Sequence, residues 1–115
     1  MHELAIANSI VETVLEEADK KNLGPIIAIG LRIGALTDVV PAALEFGFTA
    51  ITAGTPLESV KLVIENVPVR GRCAGCGVTF DVQGFVFVCP SCGSANTKVV
   101  QGQELDIAYL EVDDS

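Results

Sequence analysis

Four cysteines in two matched pairs constrain the fold of this chain more than any other feature. They occur as Cys73-Ala74-Gly75-Cys76-Gly77 and Cys89-Pro90-Ser91-Cys92-Gly93, with twelve residues between the pairs. A tight turn at each pair places two sulfurs on one side, and the glycine after the second cysteine allows the backbone to curl beneath them. We expect the two turns to meet and form a closed site of four thiolates.

The ligand type predicts which metal such a site holds. Closed sites of four cysteines typically bind Zn²⁺ in a structural role, so Cys73, Cys76, Cys89 and Cys92 are predicted to hold a zinc ion. A rubredoxin-like iron site uses similar turns and is an alternative. A disulfide pair is a third alternative, disfavoured because the sequence shows no secretion signal and cytoplasmic thiols stay reduced.

Hydrophobic periodicity outside the cysteine segment predicts an α+β fold. Apolar residues at helical spacing predict two helices, over 4–21 and 40–53. Alternating apolar residues predict three strands, over 25–35, 57–69 and 98–112. We expect the two helices to pack on one face of a three-stranded sheet. The side of the first strand that carries Gly30 has small residues, so a close neighbour such as a helix is expected there.

Residues 70–97 differ in character from the rest of the chain. They hold all four cysteines and five of the eleven glycines, and they show no helical period. We therefore predict an inserted zinc-ribbon-like domain over 70–97 and an α+β domain built from 1–69 and 98–115. Within the insert, apolar segments on either side of Gln83-Gly84 predict a β-hairpin over 79–88.

Composition excludes several classes of partner. The chain has 115 residues and a formal net charge of −8, whereas binding to nucleic-acid phosphates or anionic lipids requires a surplus of Lys and Arg. The apolar run over 26–36 is too short to span a bilayer and contains Arg32. An acidic protein suits cationic partners or divalent metals. We predict a cytoplasmic protein that binds neither nucleic acid nor membranes.

The only histidine of the chain is its second residue. The Met1 amine, the His2 amide nitrogen and the His2 imidazole can close two chelate rings on one metal ion, and such planar nitrogen ligands suit Ni²⁺ or Cu²⁺. The amide or the carboxylate of Glu3 would fill the fourth position. Taken alone, a histidine at a chain end is also compatible with a mobile residue that binds nothing.

No arrangement of residues for catalysis is evident. A single histidine at the terminus leaves no nucleophile–base pair, and the sequence lacks a glycine-rich phosphate loop of the G-x₄-G-K-[ST] type. The chain is therefore predicted not to be an enzyme, and any nucleotide hydrolysis would belong to a partner.

Three segments together resemble the HypA/HybF family of hydrogenase maturation proteins. They are Met1-His2-Glu3-Leu4-Ala5, Leu31-Arg32-Ile33-Gly34 and Val67-Pro68-Val69-Arg70-Gly71-Arg72-Cys73. The resemblance covers the whole chain, and the Met-His-Glu start combined with a four-cysteine insert makes it specific. It implies a nickel-binding domain with an inserted zinc domain, in which Met1, His2 and Glu3 bind nickel and the four cysteines bind zinc.

The same resemblance implies a function and partners. The family delivers nickel to the immature large subunit of [NiFe]-hydrogenase, a GTPase nickel chaperone is a further partner, and some members also serve urease. Several relatives carry additional histidines near the zinc cysteines, whereas this chain has none beyond His2. We expect a monomer or homodimer. The alternative functions are a zinc-ribbon interaction module without a nickel role and a rubredoxin-like iron electron carrier.

Overall fold

The computed structural model describes residues 3–113, and these form two helices and two small sheets. In chain order the elements are α1 Glu3–Lys20, β1 Ile26–Gly34, a 3₁₀ turn Ala35–Thr37, α2 Pro41–Thr52, β2 Lys61–Val67, β3 Arg70–Cys73, β4 Thr79–Asp81, β5 Thr97–Gln101 and β6 Leu105–Val112. The sheets have the strand orders β2-β1-β6 and β4-β3-β5. This arrangement confirms the predicted α+β class.

By packing, the chain divides into two compact units. The first, which we call the helical unit, comprises Met1–Arg32, Asp38–Glu65 and Asp106–Ser115. The second, which we call the cysteine unit, comprises Ile33–Thr37 and Asn66–Leu105. The predicted domains, one formed by 1–69 together with 98–115 and the other by 70–97, remain a prediction.

The core of the helical unit is aliphatic because its helices and central strand each bury an apolar side. α1 buries Ala7, Ile10 and Val14, which are spaced for one side of a helix. β1 contributes Ile29 and Leu31 to this core, and α2 contributes Leu44 and Phe48. The two helices approach each other at Gly47, where a Cβ would lie 3.6 Å from Leu4 Cδ1. Among the described residues, neither helix has the length and apolar character needed to cross a bilayer.

The small side of β1 does have a close neighbour, as expected, but this neighbour is an aromatic ring rather than a helix. A Cβ at Gly30 would overlap the ring of Tyr109, which reaches across from β6. Glycine at this position therefore gives the tyrosine ring a flat surface on the sheet.

Two of the predicted strands are shorter than their alternating patterns suggested. Residues 57–59 form a turn, so β2 begins only at Lys61. The predicted strand over 98–112 is divided at Gly102, so that β5 and β6 belong to different sheets. Gly102 has φ +117, a backbone conformation that disfavours any residue with a side chain.

The hairpin predicted over 79–88 is only half correct. Residues 79–81 form β4, and a turn follows in which the Val86 N–H donates to the Gln83 carbonyl at 3.1 Å, but residues 85–88 form no strand. β3 occupies the centre of this sheet instead, with Gly71 opposite Phe80 on β4 and opposite Val99 on β5. A local pattern cannot show this, because β5 is distant in sequence.

Candidate metal centre

Each cysteine pair sits on a tight turn with the same backbone hydrogen bond. The Gly77 N–H donates to the Cys73 carbonyl at 2.9 Å, and the Gly93 N–H donates to the Cys89 carbonyl at 2.9 Å. Both glycines are left-handed, with φ +76 and +75, a conformation that costs about 1–2 kcal/mol in a residue with a side chain. The expected backbone curl after each second cysteine is present in both turns.

The two turns bring all four sulfurs together. The four Sγ atoms lie within 4.8 Å of one another, with 3.5 Å between Cys73 and Cys92 and 3.6 Å between Cys76 and Cys89. Four thiolates arranged tetrahedrally at the usual Zn–S distance of about 2.3 Å are roughly 3.8 Å apart. The sulfurs are thus spaced for zinc, and they lie too far apart for disulfide bonds.

Backbone N–H groups favour the thiolate form of the first cysteine in each pair. Cys73 Sγ accepts hydrogen bonds from the N–H groups of Cys76 at 3.4 Å and Gly75 at 3.3 Å. With the added contact to Cys92, these donors lower the pKa of Cys73 to about 6. The N–H groups of Cys92 and Ser91 likewise lower the pKa of Cys89.

The second cysteine of each pair behaves in the opposite way. The Ser94 N–H acts to lower the pKa of Cys92, but the neighbouring sulfurs of Cys73 and Cys89 outweigh it and raise this pKa to about 11. The pKa of Cys76 is also raised, because the contacts with other cysteines outweigh the Val78 N–H. Thiols with a raised pKa are protonated at neutral pH, so zinc binding displaces protons from Cys76 and Cys92.

The site is closed, which suits a structural metal. Cys73 and Cys89 are buried and Cys76 and Cys92 are exposed, and the buried pair belongs to a small cluster with Phe80. Four protein ligands leave no open position for a substrate. The chemistry of the donors and their spacing therefore support zinc held by all four cysteines, as the sequence predicted.

Only one of the three predicted nickel ligands belongs to the described part of the chain. Met1 and His2 lie outside residues 3–113, and Glu3 is the first residue of α1. Oε2 of Glu3 accepts a hydrogen bond from the N–H of Val40 at 3.2 Å, and Val40 is the N-cap of α2. This contact joins the start of α1 to the start of α2. The sequence alone gave no sign of Val40, because the two residues are far apart in the chain.

The fold and the site define a class of protein: a small α+β protein with a zinc site of four cysteines. The comparison with known families is more specific. The chain belongs to the family described as "Hydrogenase/urease nickel incorporation, metallochaperone, hypA", which matches residues 1–112.

Curated relatives match along almost the entire chain. The hydrogenase maturation factor HypA of Geobacter metallireducens is 45% identical over 113 residues, which cover 98% of this chain and 100% of that protein. The protein of the same name from a Roseiflexus species is 44% identical over 117 residues, covering 99% and 94% of the two chains.

Two solved structures share the fold. The solution structure of the Ni metallochaperone HypA from Helicobacter pylori aligns with a TM-score of 0.68 at 24% identity, over 97% of both chains. A second solution structure, of a HypA protein, aligns with a TM-score of 0.76 at 23% identity, over 100% of this chain and 98% of that one. At these identities the likeness concerns the fold alone.

Family membership confirms the function predicted from the sequence. The chain is a nickel metallochaperone of hydrogenase maturation, an accessory factor whose four-cysteine site holds structural zinc. This function takes precedence over the two alternatives, an iron electron carrier and a zinc-ribbon module without nickel.

Proposed function

We propose that this chain binds Ni²⁺ as cargo at Met1, His2 and Glu3 and passes it to the immature large subunit of [NiFe]-hydrogenase. A GTPase nickel chaperone is the second proposed partner, the cytoplasm is the proposed location, and the chain itself performs no catalysis. The observation that carries the proposal is the family match over residues 1–112, which includes the Met-His-Glu start. The zinc held by the four cysteines serves to keep the cysteine unit folded.

In the proposed nickel site, the fourth ligand is the backbone amide of Glu3 rather than its carboxylate. The carboxylate already accepts the hydrogen bond from the Val40 N–H, so coordination through Oε2 would compete with that bond. Glu3 is the first residue of α1, and the N–H groups in the first turn of a helix do not take part in helix hydrogen bonds. Deprotonation of the Glu3 amide would therefore break no hydrogen bond of α1.

The chemistry of these ligands suits a carrier. Nitrogen ligands in a plane favour Ni²⁺ and Cu²⁺ over Mg²⁺ and Ca²⁺. Because binding displaces protons from the amine, the amides and the imidazole, nickel affinity falls as the pH drops.

The proposal predicts that His2→Ala abolishes stoichiometric nickel binding and leaves the zinc content and the fold intact, because two of the four ligand atoms come from residue 2 and its imidazole is indispensable. Nickel titration followed by the square-planar absorption band measures this. Glu3→Gln is the matched control, since it retains the backbone amide and should retain nickel. Tight nickel binding by His2→Ala would contradict the site.

The role of the Met1 amine is tested separately by residues added in front of it. A chain that carries a short N-terminal extension loses this amine as a ligand and should bind nickel far more weakly than the chain that starts at Met1. Equal affinities of the two forms would refute amine coordination, whatever the result for His2→Ala.

A further inference from the structure

The solvent-exposed side of α2 is unusual for a helix that faces water. Its exposed residues are Ala42, Ala43, Glu45, Phe46, Thr49 and Ala50, and Glu45 is the only charged residue among them. The exposed side of α1 instead carries charged residues, including Glu12, Glu16, Asp19 and Lys20. A helix side that remains in water is normally polar, so α2 has an apolar surface that the described part of the chain does not cover.

Phe46 is the centre of this surface. Its side chain is 79% exposed, although phenylalanine is among the residues most often buried. On a helix, the neighbours of a residue lie three and four positions away. At Phe46 these are Ala42, Ala43, Thr49 and Ala50, all small and all exposed. The phenyl ring is therefore surrounded by short side chains, so that a partner can contact it from every side.

The charge around this surface indicates what kind of partner fits. The segments of the helical unit contain 13 acidic and 4 basic residues, a net charge of −9, whereas those of the cysteine unit contain 2 acidic and 3 basic residues. Residues 33–60, which include all of α2, contain no Lys or Arg. A cationic partner would be attracted to this surface, and a second copy of this chain would be repelled by its like charge.

The surface also lies close to Glu3, the one described residue of the proposed nickel site. The hydrogen bond between Glu3 and the Val40 N–H holds the N-terminus of α2 against the start of α1. Phe46 follows Val40 by six residues, or about 9 Å along the helix axis. A protein that encloses Phe46 would thus be positioned within reach of Glu3.

We propose that the exposed side of α2, centred on Phe46, docks the protein that exchanges nickel with this chain, and that this protein presents an apolar pocket rimmed by Lys or Arg. The proposal rests on the nickel-carrier function proposed above. Phe46 fills the pocket, and Glu45 pairs with the cationic rim. Large aromatic side chains in such a central position commonly dominate the affinity of an interface.

The test measures binding of two purified probes, the GTPase nickel chaperone and the immature hydrogenase large subunit, to wild-type chain and to variants. We expect at least one probe to bind, Phe46→Ala to weaken that binding tenfold or more, and Glu45→Lys and added NaCl to weaken it further. Phe85→Ala is the matched control: Phe85 is 73% exposed but belongs to the cysteine unit. It should change the affinity less than threefold.

Several outcomes would overturn the docking surface. The first two are an affinity of Phe46→Ala within threefold of wild type and an equal loss of affinity in Phe85→Ala. The third is that neither probe binds the wild-type chain at a concentration of about 100 µM. The fourth is that the wild-type chain is a dimer and that Phe46→Ala dissociates it. Zinc content and circular dichroism establish that each variant is folded.

A nickel titration of Phe46→Ala separates this proposal from the nickel site. The variant should bind nickel as wild type does, because Phe46 is not a ligand. If wild-type chain binds a probe through Phe46 but holds no nickel at residues 1–3, the nickel site fails and the surface stands. If nickel binds at residues 1–3 and Phe46→Ala binds the probes as wild type does, the nickel site stands and the docking surface fails.

Discussion

The helical unit and the cysteine unit are stabilised in different ways. The helical unit buries aliphatic side chains from two helices and a strand, among them Val14, Ile29 and Leu44. The cysteine unit has a small cluster of Cys73, Phe80 and Cys89 with Val78 and Val82 packed against it. Small domains with little core commonly need a metal or disulfides to fold. One chain thus combines a unit stabilised by hydrophobic burial with a unit stabilised by its zinc ion.

Loss of zinc should affect the two units most differently. Cys73→Ser removes a buried sulfur ligand, and structural zinc supplies on the order of 10 kcal/mol to folding. We expect the amide resonances of the cysteine unit to lose their dispersion and those of the helical unit to stay dispersed. Amide correlation spectra and zinc analysis measure this. Ser91→Ala, which alters the second turn without removing a sulfur, should retain the zinc and the spectrum. A dispersed cysteine unit in Cys73→Ser would mean that zinc is not what holds it.

An intermediate effect is expected when the aliphatic core is reduced. Leu44 is fully buried in the helical unit, so Leu44→Ala should lower the free energy of unfolding by about 2–5 kcal/mol through lost burial and an added cavity. Thermal unfolding of the zinc-loaded protein measures this change. Phe46→Ala, on the exposed side of the same helix, should cost less than about 0.5 kcal/mol, and the zinc content should not change in either variant. Equal destabilisation by the two substitutions would show that Phe46 is part of the core.

The smallest expected effect sharpens the link between folding and zinc in the cysteine unit. Phe85 is exposed and has φ +61, a left-handed conformation that asparagine adopts more readily. Relief of about 1 kcal/mol of strain in Phe85→Asn should raise zinc affinity roughly fivefold, because folding and zinc binding are coupled in this unit. Competition with a chelator measures the affinity. Phe46→Asn should leave it unchanged, and a lower affinity in Phe85→Asn would indicate that the phenyl ring stabilises the unit.

Local sequence patterns predicted the helices more accurately than the strands. The helices expected over 4–21 and 40–53 are found at Glu3–Lys20 and Pro41–Thr52, because helical periodicity and the Gly and Pro residues at helix ends are local signals. The central strand β3 and the division of 98–112 at Gly102 were not predicted. The register of β3 depends on β5, where Cys73 lies opposite Thr97, and a pairing between distant segments leaves no local pattern.

The four-cysteine zinc site, the two helices and the excess of acidic residues are all evident in the sequence, because cysteine spacing, periodicity and charge are properties of neighbouring residues or of the whole composition. Three further features required the folded structure: the Glu3 carboxylate accepts a hydrogen bond from the Val40 N–H, the Tyr109 ring lies on Gly30, and Phe46 is exposed to solvent. Each of these depends on how distant segments pack, and packing selects one of several arrangements that the same local pattern allows.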